Sequence, residues 1–488
     1  MNSVNYAALF HITAPESVLE VFSLLVLIVD LGLLRRSTQA TRMATACWLS
    51  VFGCLASTAS LIIQVTHPET AILTGNALVS TPLVAAAQFG ILLLTALVLL
   101  LSIRVKFSRN PGEFAAIVLL ATTGMMLVTA ARDLLIIFVA LELLSLSLYV
   151  LTAFNKSSAQ SAEAALKYYL FGGMSAAFML FGFSYLYGLT GSTSLTEISA
   201  SLSTQTLSPL LIVALVLVAA GLGFKIAAVP FHLWAPDTYQ GAPAPVTALI
   251  ASGSKVASFA VLIALTESIT AGQGSSWLVV LLWMAAASIL LGNLGALAQT
   301  SVRRLLAYSA IAHAGYMLLG IAAHTPQSGA AVLYYALTYA LTTVGAFGVI
   351  AVVERTTGSD RFDAFAGLSR RNPLLAATML VYLLSLAGIP PLVGFWAKFN
   401  LFAAVLRSPY AAHWGLTLVA AALAASAISL YYYLQVLKRI YVLKPTSLTS
   451  AAPLEVSTLE LATLVIIALA VVALGLFPVA LSSMIPLG

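Results

Sequence analysis

The stretch FKIAAVPFHLWAPD, residues 224–237, interrupts an apolar run at a point where a membrane helix would be expected to continue. Pro230 removes a backbone donor and its ring clashes with the preceding helical turn, while Lys225 places a cation in the same apolar run. A second break of this kind occurs downstream at Pro390 and Pro391. Carbonyl groups freed at membrane depth are tolerated only where protein or a wet cavity receives them. Both breaks are therefore candidate functional sites.

The surrounding sequence is that of an integral membrane protein. Of its 488 residues, 61% are hydrophobic and only 8% are charged, whereas a soluble chain carries roughly a quarter charged residues. A span needs about twenty mainly apolar residues. Such segments lie near 17–34, 43–63, 82–103, 114–130, 134–154, 161–188, 209–229, 246–268, 277–298, 305–323, 329–353, 375–405, 412–437 and 459–482. The sequence predicts an all-α, polytopic membrane protein of about fourteen transmembrane helices, with discontinuous seventh and twelfth helices.

The positions of the cations predict how these helices are oriented. Cytoplasmic loops collect Lys and Arg, and with the N-terminus outside, the outer loops hold only Arg132 and Arg407. The inner loops then hold Arg35, Arg36, Arg42, Arg104, Lys106, Arg109, Lys156, Arg303, Arg304, Arg355, Arg361, Arg370, Arg371, Lys438, Arg439 and Lys444. We therefore expect both termini to face the periplasmic or lumenal side.

An internal repeat is visible within the apolar segments. The sequence AALKYY of residues 164–169 parallels AVLYY of residues 331–335, and the two proline breaks lie at a similar spacing. Five helix steps separate the matched pairs, so the second copy enters the membrane from the opposite side, as in the inverted repeats of many transporters. We predict three N-terminal helices in 1–110, a first inverted five-helix repeat in 111–270, a second in 271–440, and a C-terminal helix in 441–488.

Five ionisable side chains fall inside predicted spans, and they are the candidate site residues. These are Glu142, Lys167, Lys225, Lys255 and Lys398. Each would cost about 2.5–3.5 kcal/mol at the bilayer centre if it faced lipid, so we expect them to face the bundle interior. An inventory of acids and bases in lipid is typical of a proton or ion pathway.

A structural alternative stands beside each of these interpretations. Glu142 could be a fixed ion-pair partner, and Lys225 could satisfy carbonyls freed at the Pro230 break. The other lysines could be fixed counter-charges. His313, in the tenth span, is either a core histidine with its hydrogen bonds satisfied or a further candidate relay. His232, just beyond Pro230, is more typical of a helix end than of a relay.

Several other functions find no support in the sequence. Cys47 and Cys54 lie seven residues apart in one apolar segment, too few for a metal cluster or disulfide framework. The sequence contains no dinucleotide-binding fingerprint, so we expect no cofactor in this chain. The net charge of +6 comes without a basic run that would bind nucleic acid. The first sixteen residues lack Lys and Arg, so we expect the first apolar run to be retained as a helix rather than cleaved.

The stretch that begins at Phe224 carries a family resemblance. Residues 224–237, continuing through YQGAPAPV at 239–246 to Lys255, resemble the antiporter-like membrane subunits of respiratory complex I, whose relatives include subunits of multisubunit sodium/proton antiporters. The stretch from Asp133 to Tyr149 resembles the fifth helix of that family. Lysine at 255 and at 398, and an end soon after the fourteenth helix, resemble the N type, also called subunit 2.

The resemblance implies a half-channel in each repeat. It implies that Glu142 and Lys225 work as a pair, that Lys167 modulates them, that Lys255 is the central link, and that Lys398 is the terminal proton-transfer lysine. The second repeat departs from the first, because Tyr308 or Ser309 stands where a glutamate like Glu142 would be expected.

By this resemblance, we expect a proton-translocating membrane subunit of a complex that oxidises NADH or a related donor and reduces quinone. NAD, flavin, iron–sulfur clusters and quinone would be bound elsewhere in the complex. The expected partners are antiporter-like subunit M, small membrane subunits and the lipid bilayer, in a bacterial plasma membrane or a thylakoid-type membrane. The alternatives are a subunit of a multisubunit cation/proton antiporter, a stand-alone solute carrier and an accessory scaffold with inert charges.

Overall fold

The structure, a computed structural model, describes residues 10–66, 77–105, 110–205, 208–411, 413–445, 454, 456–482 and 485. Two of the predicted inner-loop cations, Lys106 and Arg109, lie outside the described residues. Within the described ranges the chain is helical and contains isolated β-bridges but no strand.

The helices follow the predicted spans closely. They are α1 (Ala14–Ile28, continued by a π-helical turn Val29–Leu33), α2 (Gln39–Thr66), α3 (Pro82–Ser102), α4 (Pro111–Ala130), α5 (Leu134–Thr152), α6 (Ala159–Thr190), α7 (Leu195–Thr204), α8 (Pro209–Ile226), α9 (Trp234–Gly241), α10 (Ala244–Ala251), α11 (Gly253–Leu297), α12 (Val302–Ala323), α13 (Ser328–Thr357), α14 (Leu368–Arg371), α15 (Pro373–Ala387), α16 (Val393–Leu406), α17 (Gly415–Tyr441), α18 (Thr458–Leu476) and α19 (Val479–Ser482). Short 3₁₀ turns occupy Phe362–Phe365 and Pro409–Ala411.

All fourteen predicted spans contain helix. Twelve segments of the described chain are long and apolar enough to cross a membrane, by length and composition. The first predicted span is formed by α1 and its π-helical turn, and the twelfth by the shorter helices α15 and α16. The prediction of an all-α polytopic fold with discontinuous seventh and twelfth helices is confirmed.

The eighth and ninth spans differ from the prediction in their connection. Helix α11 contains most of both spans, yet the Trp277 indole N–H donates to the Thr266 hydroxyl over 3.0 Å. A straight helix would separate residues eleven apart by about 16 Å along its axis, so the chain reverses between the two spans. The eighth span is also interrupted at Ser252, which leaves the helical region with φ −115° and ψ −91°. We expected that span to be continuous.

The two repeats begin with matching backbone connections. In the first repeat, the Leu134 amide donates to the Thr193 carbonyl and the Leu195 amide donates to the Arg132 carbonyl. In the second repeat, the corresponding bonds run from Val302 to Asp360 and from Phe362 to Thr300. Each pair ties the start of a repeat's second helix to the segment that follows its third helix. Together with the two broken helices, this correspondence supports the inverted-repeat architecture.

The two breaks also share their geometry. Helix α8 ends at Ala227 and helix α15 ends at Gly388, both in the left-handed conformation with φ 59° and 87°. Each is followed within three residues by a cis X-Pro bond, Val229–Pro230 and Pro390–Pro391. At position 388 glycine is also required for space, because a Cβ would lie 3.2 Å from the Lys398 ammonium nitrogen.

Close glycine contacts bring the second helix of each repeat against the first. A Cβ on Gly124 of α4 would lie 2.7 Å from the Leu144 backbone nitrogen of α5. A Cβ on Gly292 of α11 would lie 2.5 Å from the Ala312 nitrogen of α12. These contacts fix the backbones that carry Glu142 and His313, respectively. Cys47 and Cys54 are buried and free, as expected for core residues.

Candidate functional site

Glu142 and Lys225 meet between α5 and α8. The Lys225 ammonium lies 3.8 Å from Glu142 Oε1 and donates to the Ser145 hydroxyl, one turn further along α5. Lys225 is in the last turn of α8 and is 7% exposed, whereas a quarter of the Glu142 side chain is exposed. Glu142 Oε1 has no hydrogen bond among the described residues. The contact is therefore a loose ion pair with an acid oxygen still free to accept a proton.

Lys225 does not fill the break beside it. The freed carbonyls of α8 are bound by other groups: the Ala228 amide donates to Gly223, and the Trp234 indole donates to Phe224 over 3.0 Å. The Val229 amide donates to the Ser288 hydroxyl. The structural alternative for Lys225, that it satisfies these carbonyls, is therefore wrong.

Lys398 has the role that we considered for Lys225. Its ammonium donates to the Leu386 carbonyl over 3.1 Å, to the Ala387 carbonyl over 2.8 Å, and to the Ser426 hydroxyl over 2.7 Å. These carbonyls end α15, where the helix dipole is negative and favours a cation. Lys398 thus stabilises the end of a broken helix while it remains 7% exposed within the bundle.

Lys255 lies deeper, at the start of α11. It is 2% exposed, and its ammonium donates to the Ala310 carbonyl of α12 over 2.6 Å. Ser252 and Ser258, which we expected beside it, bind carbonyls of their own helix instead. The nitrogen lies 5.5 Å from the centre of the Tyr339 ring. No carboxylate forms a salt bridge with Lys255 or Lys398 in the described part of the chain.

His313 lies between these two lysines. Its Nδ1 is 2.8 Å from the Tyr335 hydroxyl and its Nε2 is 3.4 Å from the Tyr433 hydroxyl. Both ring nitrogens therefore have partners, as the core-histidine interpretation requires. The same contacts also make a hydrogen-bonded path through the imidazole, so the geometry is equally that of a relay.

Two aromatic rings link this group into a row. The Tyr339 ring contacts both the Lys255 ammonium, at 5.5 Å, and the His313 ring, at 4.8 Å between centroids. The Tyr316 ring contacts His313 at 5.9 Å and the Lys398 ammonium at 5.5 Å. Lys255, His313 and Lys398 form what we call the central row. These tyrosines were not predicted, because a Tyr in an apolar helix gives no sign of which neighbour it faces.

Lys167 is not part of either group. Its ammonium binds Glu163 at 2.7 Å and Asp237 at 2.8 Å, and 40% of its side chain is exposed. The expectation that every span lysine faces the bundle interior is therefore wrong for Lys167. Asp237 lies within the stretch that opened the sequence argument, but nothing in the sequence alone paired it with a residue 70 positions earlier.

The structural counterpart of Glu142 is Ala310, rather than Tyr308 or Ser309. Helices α5 and α12 begin at Leu134 and Val302, and the close glycine contacts described above keep the same register. The second repeat therefore has no acid at this position, and the Ala310 carbonyl accepts the Lys255 hydrogen bond instead. His232 is half-buried with Nδ1 unbonded among the described residues.

The described residues contain no group of three or more His, Cys, Asp or Glu side chains that could hold a metal ion. The ionisable groups that the structure brings together are instead separated by hydroxyls, carbonyls and aromatic rings. Such an arrangement can accept, hold and release protons, and it offers no geometry for nucleophilic attack or metal chemistry within the described ranges.

Comparison with known proteins identifies the family. Residues 131–428 match the sequence profile described as NADH:quinone oxidoreductase/Mrp antiporter, TM. The chain is 50% identical over 477 residues to NADH-quinone oxidoreductase subunit N 2 of Acidobacterium capsulatum, covering 94% of both proteins.

Solved structures give the same result. A chain of respiratory complex I from Thermus thermophilus, solved with bound aureothin, is 35% identical and superposes with a TM-score of 0.79, covering 96% of this chain and 99% of that chain. A chain of the Mrp complex from Dietzia sp. is 23% identical with a TM-score of 0.82, covering 96% of each, which shows a shared fold. The resemblance to the subunit N type is confirmed. The chain belongs to the family of membrane subunits shared by NADH:quinone oxidoreductases and Mrp antiporters.

Proposed function

We propose that this chain translocates protons across a bacterial inner membrane as the N-type subunit of a quinone-reducing complex. The observation that carries the proposal is the arrangement of the ionisable groups within the bundle. The Glu142–Lys225 pair lies in the first repeat, and the central row of Lys255, His313 and Lys398 lies in the second. A chain without translocation would gain nothing from lysines held in its core without carboxylates.

In the proposed mechanism, charge displacement moves protons along these groups. Two unit charges 8 Å apart interact by about 2 kcal/mol at an effective dielectric near 20, enough to change which neighbour holds a proton. Protonation of Glu142 would remove the partner of Lys225, and the displaced charge would act on the central row. Tyr335 and Tyr433 give His313 a hydroxyl on each side for passing a proton. Lys398 would complete the transfer beside the second break.

The redox chemistry belongs to other subunits of such a complex. We propose that NADH or a related donor, flavin, iron–sulfur clusters and quinone are bound there, and that energy reaches this chain as electrostatic change. The alternative of a cation/proton antiporter subunit is not better supported, since the likeness to the Mrp chain at 23% identity shows the fold alone. Proton uptake that requires sodium would favour that alternative.

The partner surface follows from exposed polar groups at membrane depth. The α6 face around Lys167 exposes Leu166, Tyr169 and Leu170, and part of Glu142 is exposed on α5. Charged groups in this position are unfavourable against lipid. We propose that antiporter-like subunit M or the small membrane subunits cover this face.

The test is Glu142→Gln in the assembled complex. Glutamine retains the shape of the side chain and loses the titratable group, so assembly on native gels should be unchanged. Protons moved per electron should fall clearly in membrane vesicles, since losing a proton-transfer group commonly slows its step by about 10²–10⁴-fold.

The control is Glu197→Gln, which removes an exposed glutamate on α7 that accepts a hydrogen bond from Ser192. It should leave both assembly and proton uptake at the level of the unmodified complex. Normal pumping by the Glu142→Gln complex would return Glu142 to a structural role.

A further inference from the structure

Asp237 joins the two repeats through one carboxylate. Its Oδ2 binds the Lys167 ammonium of α6 at 2.8 Å, and its Oδ1 binds the Arg304 guanidinium of α12 at 2.6 Å. Lys167 belongs to the first repeat and Arg304 to the second. Asp237 itself is on α9, the short helix that follows the Pro230 break. We call these three residues the inter-repeat triad.

The second repeat also holds the end of α9 through the neighbouring arginine. Arg303 is 3% exposed and donates to the Gln240 carbonyl over 2.8 Å and to the Ala242 carbonyl over 2.7 Å. Its guanidinium also pairs with Glu354 of α13. The position of α9 is therefore fixed to α12 and α13 by charge-assisted hydrogen bonds, which are about twice as strong as neutral ones.

The other end of α9 reaches the proton site of the first repeat. The Trp234 indole donates to the carbonyl of Phe224, the residue before Lys225. The Trp234 ring stacks on Tyr168 at 4.4 Å, and Tyr168 contacts Tyr149 of α5 edge-on at 4.7 Å. A displacement of α9 would therefore act on both helices that carry the Glu142–Lys225 pair.

We propose that Asp237 is a positioning residue that couples the two repeats, holding Lys167 and α9 so that the state of the second repeat sets the geometry of the Glu142–Lys225 pair. The proposal rests on the proposed function. Within the triad and Glu163, two cations face two carboxylates. Removing the Asp237 charge leaves Lys167 bound only to Glu163, whose side chain is 64% exposed, and leaves Arg304 without its carboxylate.

The test is Asp237→Asn in the complete complex, assayed for protons moved per electron in membrane vesicles. We expect a loss of at least about twofold, the lower end of the coupling effects measured between distant sites. Asp237→Glu, which retains the charge, should restore most of the loss. The matched control is Asp363→Asn, which breaks the exposed 3.2 Å pair with Arg439 inside the second repeat and should leave the ratio unchanged.

Double variants separate positioning from general damage. If Asp237 acts through the triad, Asp237→Asn combined with Lys167→Met should lose no more than the more affected single variant. Losses that multiply would overturn the proposal, as would an unaltered ratio in Asp237→Asn or a failure of Asp237→Glu to restore it.

Arg304→Gln is the second variant if Asp237→Asn does not assemble. It frees Asp237 from the second repeat and should lower the ratio in the same way, and an unaltered ratio there would equally overturn the proposal. Glu142→Gln is measured in parallel. Normal pumping there would reject the proposed function, whereas impaired pumping there with normal Asp237 and Arg304 variants would reject this inference alone.

Discussion

Lys225 and Lys398 are both buried beside a broken helix, yet their ammonium groups have different partners. Lys225 contacts Glu142 and Ser145, whereas Lys398 donates to two carbonyls and one hydroxyl, which uses all three of its N–H groups. A lysine can release and regain a proton, but an arginine stays charged in proteins. Substitution by arginine therefore keeps the cation and removes the relay.

We expect Lys225→Arg and Lys398→Arg complexes that assemble to lose most proton translocation. Quinone reduction should fall with it, because the two processes are linked. The measurement is proton uptake per electron, made only on variants that assemble, since a guanidinium is larger than an ammonium group. Pumping at the unmodified level in an assembled arginine variant would exclude that lysine as a proton carrier.

A separate prediction concerns the stability that Lys398 provides. Lys398→Met would leave the Leu386 and Ala387 carbonyls without their donor, and each unsatisfied buried group costs about 1–3 kcal/mol. Lys255→Met removes a donor only from Ala310, a carbonyl inside a continuous helix. We expect Lys398→Met to lower the thermal stability of the complex more than Lys255→Met, as measured by heating purified complex. Equal stability of the two variants would contradict this account of the α15 end.

At the scale of the helices, the glycine contact between α4 and α5 gives a sharp test. Alanine at 124 would place its Cβ 2.7 Å from the Leu144 nitrogen and 3.0 Å from the Ala140 carbonyl oxygen, and backbone atoms cannot move aside cheaply. We expect Gly124→Ala to destabilise the complex by about 1–3 kcal/mol. Gly173→Ala is the control, because no atom lies within 4 Å of its Cβ. Equal melting temperatures in the two variants would show that α4 and α5 separate without strain.

The sequence predicted these helices better than it predicted how they face each other. Prolines marked both broken helices, but the interruption at Ser252 has no proline and a single residue produces it, with helical hydrogen bonding resumed at once by Val256. The repeat offset of 166 residues, seen in α6 and α13, does not hold for α5 and α12, which begin 168 residues apart. Two residues rotate a helix by about 200°, so Tyr308 and Ser309 were assigned to the place of Ala310.

At the scale of the whole molecule, hydropathy and charge predicted the candidate residues but could not pair them. An ionisable residue within a span is visible in the sequence, whereas its partner lies on another helix at a distance that only packing sets. Glu142 and Lys225 were paired through the family resemblance, and the structure brings them together. Lys167 was wrong for the same reason in reverse, because a lysine near the end of a long helix reaches Asp237 at the end of the bundle.

The distribution of cations predicts the side on which the termini lie. Sixteen of the 22 Lys and Arg residues fall in one set of connections and two in the other, and such an imbalance marks the cytoplasmic side. Fourteen spans are an even number, so both termini should face the periplasm. A C-terminal fusion to a reporter that folds only outside the cytoplasm should be active, and a fusion truncated after Lys156 should be inactive. The opposite pattern, with the C-terminal reporter active only in the cytoplasm, would require an odd number of crossings. It would also reverse the side from which Glu142 and Lys398 exchange protons.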